Sequence, residues 1–309
     1  MSHFAFDIIV CGSLHLDIMV DAPNLPRLDE TAVGTSWGMK CGGKGGNQAV
    51  MAARLGAHTA MIGRVGADDF GARLLAHLDE AGVDRHAVET DPVAGSGMSV
   101  ALVDPQGDYG AVIVSGSNLR MSPEHSAQQF LSLGGASVLV LQNEIPEAVN
   151  LAVAKAARAA GARVLLNAAP ARPLSAEFLD QVDILVVNRV EAEMMSGLSV
   201  TDLLSAQSAL PALGGIARDV IITLGGEGLV FMAKGATPHR LASHKVTVIS
   251  THGAGDSFLG TMAIMLARGS NLADASEAAN RVAARFVSLT EEQRAISSFR
   301  ADAESIMKA

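Results

Sequence analysis

The chain has 309 residues, of which 49% are hydrophobic and 18% charged, a composition that supports a large buried core and excludes a disordered protein. Its net charge of −9 argues against nonspecific binding to nucleic acid or to an anionic membrane. Its two cysteines exclude a disulfide scaffold and a four-cysteine zinc site. Without a signal-peptide pattern or an apolar run long enough to span a bilayer, we expect a soluble, cytoplasmic protein.

Short β-branched runs alternate with longer Ala- and Leu-rich segments. In chain order, the predicted strands are Ile8–Cys11, Thr59–Ile62, Ser137–Leu141, Arg163–Leu166, Ile184–Val187 and Val220–Thr223. The predicted helices are Gln48–Leu55, Asp68–Ala81, Pro146–Ala160, Ala254–Ala267 and Leu272–Ser288. Strands that are apolar throughout are covered on both faces, so we predict an α/β fold with a mostly parallel central sheet flanked by helices on both faces. No linker divides the chain, so we expect a single domain over residues 1–309.

Two regions interrupt this alternation, within about residues 13–41 and 98–115. Their strand-like segments are Asp17–Val20, Thr31–Lys40, Ser99–Asp104 and Gly110–Val114, the last two joined by a predicted turn at Pro105–Gly107. We interpret them as a small β-sheet. Such a sheet could form a lid that excludes water from a substrate, and an ordinary edge hairpin fits the pattern equally well.

The most informative motif is the glycine-rich segment Ser250–Phe258, which follows a β-rich segment at Lys245–Ile249 and precedes a predicted helix. The backbone N–H groups of Gly253 to Asp256 would point out of the helix N-terminus and form an anion site, with phosphate as the natural ligand. The carboxylate of Asp256 could be a plain N-cap. Beside a phosphate, it could instead accept the proton of an attacking hydroxyl.

A second glycine-rich segment, Cys41–Ala49, also stands before a predicted helix. It is not a Walker P-loop, because Lys44 is followed by glycine rather than by serine or threonine, and it is not a dinucleotide fingerprint either. Lys44 and Asn47 could bind the hydroxyls of a polyol. The alternative is a flexible turn with a solvated lysine.

A third motif, Gly12–Asp17, follows the first predicted strand, where ligands of α/β sheets bind. Asp17 could accept hydrogen bonds from two sugar hydroxyls, or it could be a turn carboxylate. His15 could line the same site, or it could be a partly buried, hydrogen-bonded histidine.

Two further motifs follow later predicted strands. Asn188 and Glu191 are three residues apart, so Glu191 could hold Mg²⁺ through water, although the pair also fits a helix capping box. The segment Thr223–Gly228 is a glycine-rich turn between two strands.

Together, the order and spacing of these motifs resemble those of the ribokinase-like, or phosphofructokinase B-type, family of carbohydrate kinases. The resemblance runs from about Ile8 to about Ser288 and includes both family signatures, GGKGGNQA at Gly42–Ala49 and THGAGDSF at Thr251–Phe258. Within the family, the chain looks closest to the ribokinases. Further ribokinase-like segments are Gly12–Asp17, Leu166–Arg172, Asn188–Glu193 and Ile222–Gly228.

The resemblance implies transfer of the γ-phosphate of ATP to the CH2OH group of a pentose such as ribose, with Mg²⁺ as cofactor and a homodimer formed through the β lid. It implies Asp256 as general base, with backbone donors from Gly253, Ala254 and Gly255. The positions matched to sugar contacts are Asp17, Gly43, Lys44, Asn47 and Glu144, with His15 beside them. Those matched to the ATP site are Asn188, Thr223, Gly225, Gly228 and Asn280. Glu191 matches the glutamate linked to magnesium and phosphate.

The chain departs from the family pattern at three places. His15 replaces the usual asparagine beside the sugar, so the identity of the sugar stays open. Ser250 replaces an aspartate linked to a monovalent-cation site, and Leu289–Ile296 lacks the usual glycine-containing loop of that site. We therefore expect no activation by potassium. His252 is a candidate for ordering the anion loop instead, or it is simply an exposed loop residue.

Two alternatives to a ribose kinase stay open. The first is a kinase for another furanose-like substrate, such as a ribonucleoside or a ketohexose. The second is a non-catalytic sugar- or nucleotide-binding protein on the same fold, which the presence of Asp256 and its glycines disfavours.

Overall fold

The computed structural model describes residues 4–104 and 109–307, which form two β-sheets and flanking helices. The strands are β1 Phe6–Cys11, β2 His15–Asp21, β3 Ser36–Gly42, β4 Thr59–Gly66, β5 Asp84–Asp91, β6 Gly97–Val103, β7 Tyr109–Val114, β8 Ala136–Gln142, β9 Arg163–Asn167, β10 Ile184–Asn188, β11 Asp219–Thr223, β12 Gly228–Met232 and β13 His239–Ala242. The helices are α1 Lys44–Arg54, α2 Asp69–Glu80, α3 Pro123–Ser132, α4 Glu147–Ala159, α5 Ala176–Leu179, α6 Arg189–Ser196, α7 Leu203–Gly214, α8 Ala254–Ala267, α9 Leu272–Val287, α10 Glu291–Ile296 and α11 Arg300–Met307. None of these helices is long and apolar enough to cross a bilayer.

The large sheet has nine strands in the order β13-β12-β11-β10-β9-β8-β1-β4-β5. All neighbours pair in parallel except β12, which is antiparallel to both β11 and β13. This confirms the predicted α/β fold with a mostly parallel sheet.

Alternate residues of the central strands face opposite helix layers. Ile9 and Leu139 pack in one buried cluster with residues of α3, α4 and α7, whereas Ile8 and Val138 pack in another with residues of α1, α8 and α9. This alternation follows from the two-residue repeat of a strand. It explains why these strands are apolar almost throughout: both faces of the sheet are covered.

The small sheet has the order β3-β2-β6-β7. β2 pairs in parallel with β6, and the outer pairs are antiparallel. The predicted small β-sheet is therefore present, although its strand β3 begins at Ser36 rather than at the predicted Thr31. The predicted turn at Pro105–Gly107 lies outside the described residues.

The local structure around the two glycine-rich segments differs from what their sequence pattern indicates. Helix α1 begins at Lys44, four residues before the predicted start, because its glycine-rich first turn is anchored by the Gly46 N–H, which donates to the Ser13 carbonyl at 3.0 Å. The β-rich segment Lys245–Ile249 forms no strand. It lies beyond β13, and the Ile249 N–H instead donates to the Val287 carbonyl at 2.8 Å.

Candidate active site

Several of the predicted site residues lie at or just after the carboxyl ends of strands of the parallel sheet. Strands β1, β8, β10 and β11 end at Cys11, Gln142, Asn188 and Thr223, and adjacent strands are in register. The carboxyl ends of parallel strands lie at one edge of the sheet, where α/β proteins bind their ligands. Residues far apart in the chain therefore meet at this edge.

The glycine-rich loop Thr251–Gly255 leads into α8. Gly253 is the N-cap residue and has φ of +79°, a left-handed conformation that favours glycine. Asp256 lies in the first turn of the helix, three residues after the N-cap Gly253, so its interpretation as a plain N-cap was wrong. The first N–H groups of a helix have no acceptors within it, so this end of α8 offers donors to an anion. The predicted donor Ala254 differs, because its N–H already donates to the Thr251 carbonyl at 3.1 Å.

The Asp256 carboxylate is only 9% exposed, and two side-chain amides hold it. Asn47 Nδ2 donates to Oδ2 and Gln48 Nε2 donates to Oδ1, both at 2.9 Å. Burial raises the pKa of Asp256, while the charge of Lys44 and the two amide hydrogen bonds oppose this shift. A carboxylate with a raised pKa is a better proton acceptor near neutral pH.

Gln48 is a site residue that the sequence analysis missed. It is fully buried, and its Oε1 atom accepts a hydrogen bond of 2.8 Å from Gln142 Nε2. The Gln142 carbonyl in turn accepts 2.7 Å from Asn150 Nδ2. A buried amide chain thus fixes Asp256 from behind. The only signal in the sequence was a glutamine in an otherwise small and apolar helix, next to Asn47.

The predicted sugar-contacting residues form two groups. Glu144 accepts hydrogen bonds from the Ser13 hydroxyl at 2.5 Å and from the Lys44 N–H at 2.9 Å. Lys44 opens helix α1 and is half-buried, so it does not lie in a flexible, solvated turn. Gly43 is the N-cap residue directly before it.

Asp17 and His15 lie on β2 of the small sheet. Asp17 accepts a hydrogen bond of 2.5 Å from the Ser99 hydroxyl on β6, so its interpretation as a turn carboxylate was wrong. A Cβ atom on Gly42 would lie 2.1 Å from Asp17 Oδ2, so a side chain at position 42 would displace this carboxylate. His15 is 4% exposed, and its Nε2 atom has no hydrogen-bond partner among the described residues.

A cavity of about 270 Å³ lies between the glycine-rich loop and the ends of β10 and β11. Lys44, Asn188, Glu191 and Asp256 line it together with Thr251–Gly255. Glu191 Oε2 accepts the Asn188 N–H at 2.6 Å and completes a capping box at the start of α6. Burial raises the pKa of this carboxyl. The described residues contain no cluster of three or more metal-ligating side chains, and magnesium commonly needs only one carboxylate besides waters and substrate phosphates.

A second cleft of about 640 Å³ shares several walls with this cavity. All five residues matched to the ATP site line it, namely Asn188, Thr223, Gly225, Gly228 and Asn280. Apolar side chains, including Val246 and Val248, line the same cleft. Residues of the β-rich segment Lys245–Ile249 therefore form a wall of this cleft. Its size and mixed lining are typical of a small-molecule site.

Comparison with known proteins agrees with this arrangement. Residues 5–297 match the pfkB family of carbohydrate kinases. A ribokinase of Bacillus subtilis is 34% identical over 279 residues, which cover 90% of this chain and 91% of that protein. A deoxyribokinase of Salmonella typhi is 31% identical over 260 residues, which cover 83% of this chain and 84% of that protein. The structure of Arabidopsis thaliana ribokinase complexed with ribose and ATP has a TM-score of 0.84 and 27% identity, with 98% of each chain covered.

The family match spans nearly the whole chain, and the fold has the sheet order and glycine-rich helix start described above. Both family signatures lie at the edge of the sheet where the cavities are found. The chain therefore belongs to the pfkB family of carbohydrate kinases and is a phosphotransferase that acts on a sugar.

Proposed function

We propose that this protein transfers the γ-phosphate of ATP to the CH2OH group of a pentose such as ribose, with Asp256 as the general base. The observation that carries the proposal is the buried Asp256 carboxylate, held by two amides at the N-terminus of α8. The ribokinase relatives, one of them solved with ribose and ATP, support the choice of substrates.

In the proposed mechanism, Asp256 takes the proton of the sugar hydroxyl as the hydroxyl oxygen attacks the phosphorus. The N–H groups of Gly253 and Gly255 stabilise the charge on the transferred group, and the Lys44 ammonium adds positive charge in the same cavity. ATP would occupy the adjoining cleft, against Asn188, Thr223, Gly225, Gly228 and Asn280. Positioning and charge neutralisation would provide most of the rate.

Glu191 fits the role of a magnesium-linked carboxylate, because it is buried in the cavity that also contains the anion site. A bound Mg²⁺ ion would neutralise charge on the phosphates of ATP. Glu191 would hold it through water, since one of its oxygens already accepts the Asn188 N–H.

The sugar would lie between the small sheet, which would act as a lid, and the sheet edge. Asp17, Lys44, Asn47 and Glu144 provide charged and amide groups suited to several hydroxyls, with Gly43 between the two groups. His15 adds a buried ring nitrogen that lacks a partner among the described residues, so a sugar hydroxyl would satisfy it. The relatives include both a ribokinase and a deoxyribokinase, so the 2-hydroxyl is a natural point of discrimination.

An ADP-release assay over a panel of substrates tests the proposal. We expect turnover with ribose or 2-deoxyribose, and weaker or no turnover with fructose, other ketohexoses and ribonucleosides. The Asp256→Asn variant serves as the blank. Preferred turnover of a nucleoside or ketohexose would replace the pentose assignment, and sugar binding without any ADP release would indicate a non-catalytic binding protein.

We also propose a homodimer formed through the small sheet. This sheet exposes large apolar side chains, among them Trp37 at 67% and Val112 at 68% exposure. Exposed apolar patches on a soluble protein are commonly interaction surfaces. Light scattering after gel filtration should give twice the 31.8 kDa chain mass, and a Trp37→Glu variant should shift the mass toward the monomer. A monomeric wild-type protein would contradict the proposal.

A further inference from the structure

Arg294, on the short helix α10, has an unusually buried guanidinium. The residue is 5% exposed, and its three nitrogens each donate to a different backbone carbonyl. Nε donates to Phe286 O at 2.8 Å, Nη1 to His252 O at 3.2 Å and Nη2 to Ser250 O at 2.7 Å. Two of these carbonyls belong to the glycine-rich loop that precedes α8, so the side chain bridges α9 and that loop.

The Phe286 ring extends the same contact. The Arg294 guanidinium carbon lies 4.3 Å from the ring centroid, within the range of a cation–π interaction. A Cβ atom on Gly253 would lie 3.2 Å from the edge of that ring, so the ring also packs against the N-cap of α8. Arg294 and Phe286 thus hold the loop from the side of α9 and α10.

These contacts determine how the anion-binding N–H groups point. A peptide group is planar and trans, so the carbonyl of His252 and the N–H of Gly253 point in opposite directions from one rigid unit. Fixing His252 O on Arg294 therefore directs the Gly253 N–H away from the guanidinium. Fixing Ser250 O orients the Thr251 peptide group, and the Thr251 carbonyl accepts the Ala254 N–H at 3.1 Å.

The chemistry of this contact is that of a cation site. Three carbonyl oxygens converge on one positive charge, and Ser250 contributes no carboxylate that would attract a free ion. A guanidinium presents its donors in a planar fork and stays charged at all accessible pH values, so it can satisfy three carbonyls at once. A tethered charge also avoids the entropy lost when a free ion binds.

We propose that Arg294 is a positioning residue for phosphate transfer: its guanidinium acts as a built-in cation that orders the anion-binding loop in place of a soluble monovalent ion. The expected effect of Arg294 on turnover rests on the proposed function. Arg294 therefore takes the ordering role for which the His252 side chain was the sequence-based candidate. His252 contributes only its backbone carbonyl to the contact.

The experiment compares Arg294→Ala, Arg294→Lys and Arg285→Ala in potassium, sodium, choline and guanidinium chlorides at constant ionic strength. Arg285 is a matched control, because it also holds a backbone carbonyl, that of Ser298 at 3.1 Å, and lies over an aromatic ring, Phe299, at 5.3 Å. A cavity of about 290 Å³ lined by His252, Phe286 and Arg294 gives small cations access to the vacated position.

We expect wild-type and Arg285→Ala turnover to change little among these salts. Arg294→Ala should lose about 10²-fold in kcat, because the N–H groups beside the reacting phosphate would no longer be held in position. Millimolar guanidinium, and potassium more than choline, should restore part of this loss saturably. Arg294→Lys should keep an intermediate rate, since a single ammonium cannot reach three carbonyls in a fork.

Hydrogen exchange of the Thr251–Asp256 amides provides a second readout that does not depend on catalysis. Exchange should be faster in Arg294→Ala and slower again with guanidinium, even if the sugar is misassigned. Native turnover and exchange in Arg294→Ala would overturn the proposal. A loss of turnover that no cation restores would also overturn it, because Arg294 would then be a packing residue rather than a built-in cation.

Discussion

Asn47 Nδ2 lies 2.9 Å from Asp256 Oδ2, although the two residues are 209 positions apart in the chain. Each belongs to one of the two glycine-rich segments. The contact places the proposed base against a residue of the proposed sugar site, at the N-terminal ends of both α1 and α8. In the proposed mechanism, binding of the sugar and positioning of the base therefore depend on the same amide.

Replacing the proposed base tests the mechanism most directly. Asp256→Asn should lower kcat by about 10²–10⁴-fold, the usual contribution of a positioned base. Nucleotide affinity, measured by calorimetry, should change little, because the proposed ATP cleft is lined by other residues. Asp202→Asn, which keeps the N-cap of α7, is the control for the substitution itself. Near wild-type turnover in Asp256→Asn would remove this residue from the mechanism.

The buried amide chain predicts a shift in the pH dependence. The Gln48 hydrogen bond lowers the pKa of Asp256 against the larger effect of burial, which raises it. Gln48→Met removes that hydrogen bond, so the pKa should rise further and a higher pH is needed to deprotonate the base. The acidic limb of the kcat/KM profile should therefore move to higher pH.

Asn150→Leu is the control for this shift. This substitution removes another buried amide of the same hydrogen-bonded series, one that donates to the Gln142 carbonyl and does not contact Asp256. Both variants should lose some stability, about 1–3 kcal/mol for each buried group left unpaired, but only Gln48→Met should move the acidic limb. Equal pH profiles in the two variants would contradict the role of Gln48.

Asp17→Ala should weaken sugar binding by about 10- to 100-fold, because it removes a charged acceptor of hydroxyl hydrogen bonds. ATP binding should be unaffected, and separate calorimetric titrations with each ligand measure both. Asp21→Ala is a matched control on the same strand, since Asp21 also accepts a hydrogen bond from a serine of the small sheet, Ser36. An unchanged sugar affinity in Asp17→Ala would exclude Asp17 from the sugar site.

Glu191→Gln should raise the Mg²⁺ concentration needed for half-maximal activity by roughly 10-fold or more, as expected for a group that holds a metal through water. Glutamine at this position still completes a capping box, so the start of α6 is retained and the charge alone is removed. Glu193→Gln, two residues further along α6, is the control. An unchanged magnesium requirement would leave Glu191 with only its capping role.

Much of this protein was determined by local sequence. Val- and Ile-rich runs such as Ile184–Val187 predicted the buried parallel strands, because a strand covered on both faces must be apolar throughout. The glycine at 253 and the acid at 256 indicated an anion site, because a left-handed N-cap and free helix N–H groups are local properties.

The tertiary structure decided which side chains meet. Gln48 donates to Asp256, and Arg294 donates to three backbone carbonyls. These contacts join segments that are distant in the chain. The β-propensity of Lys245–Ile249 was overridden, since a strand requires a neighbour with free backbone groups. Periodicity and propensity describe a residue's own neighbourhood, whereas hydrogen-bond partners depend on where whole elements pack. For that reason the sequence indicated the family and the anion loop, and only the fold revealed what holds that loop in place.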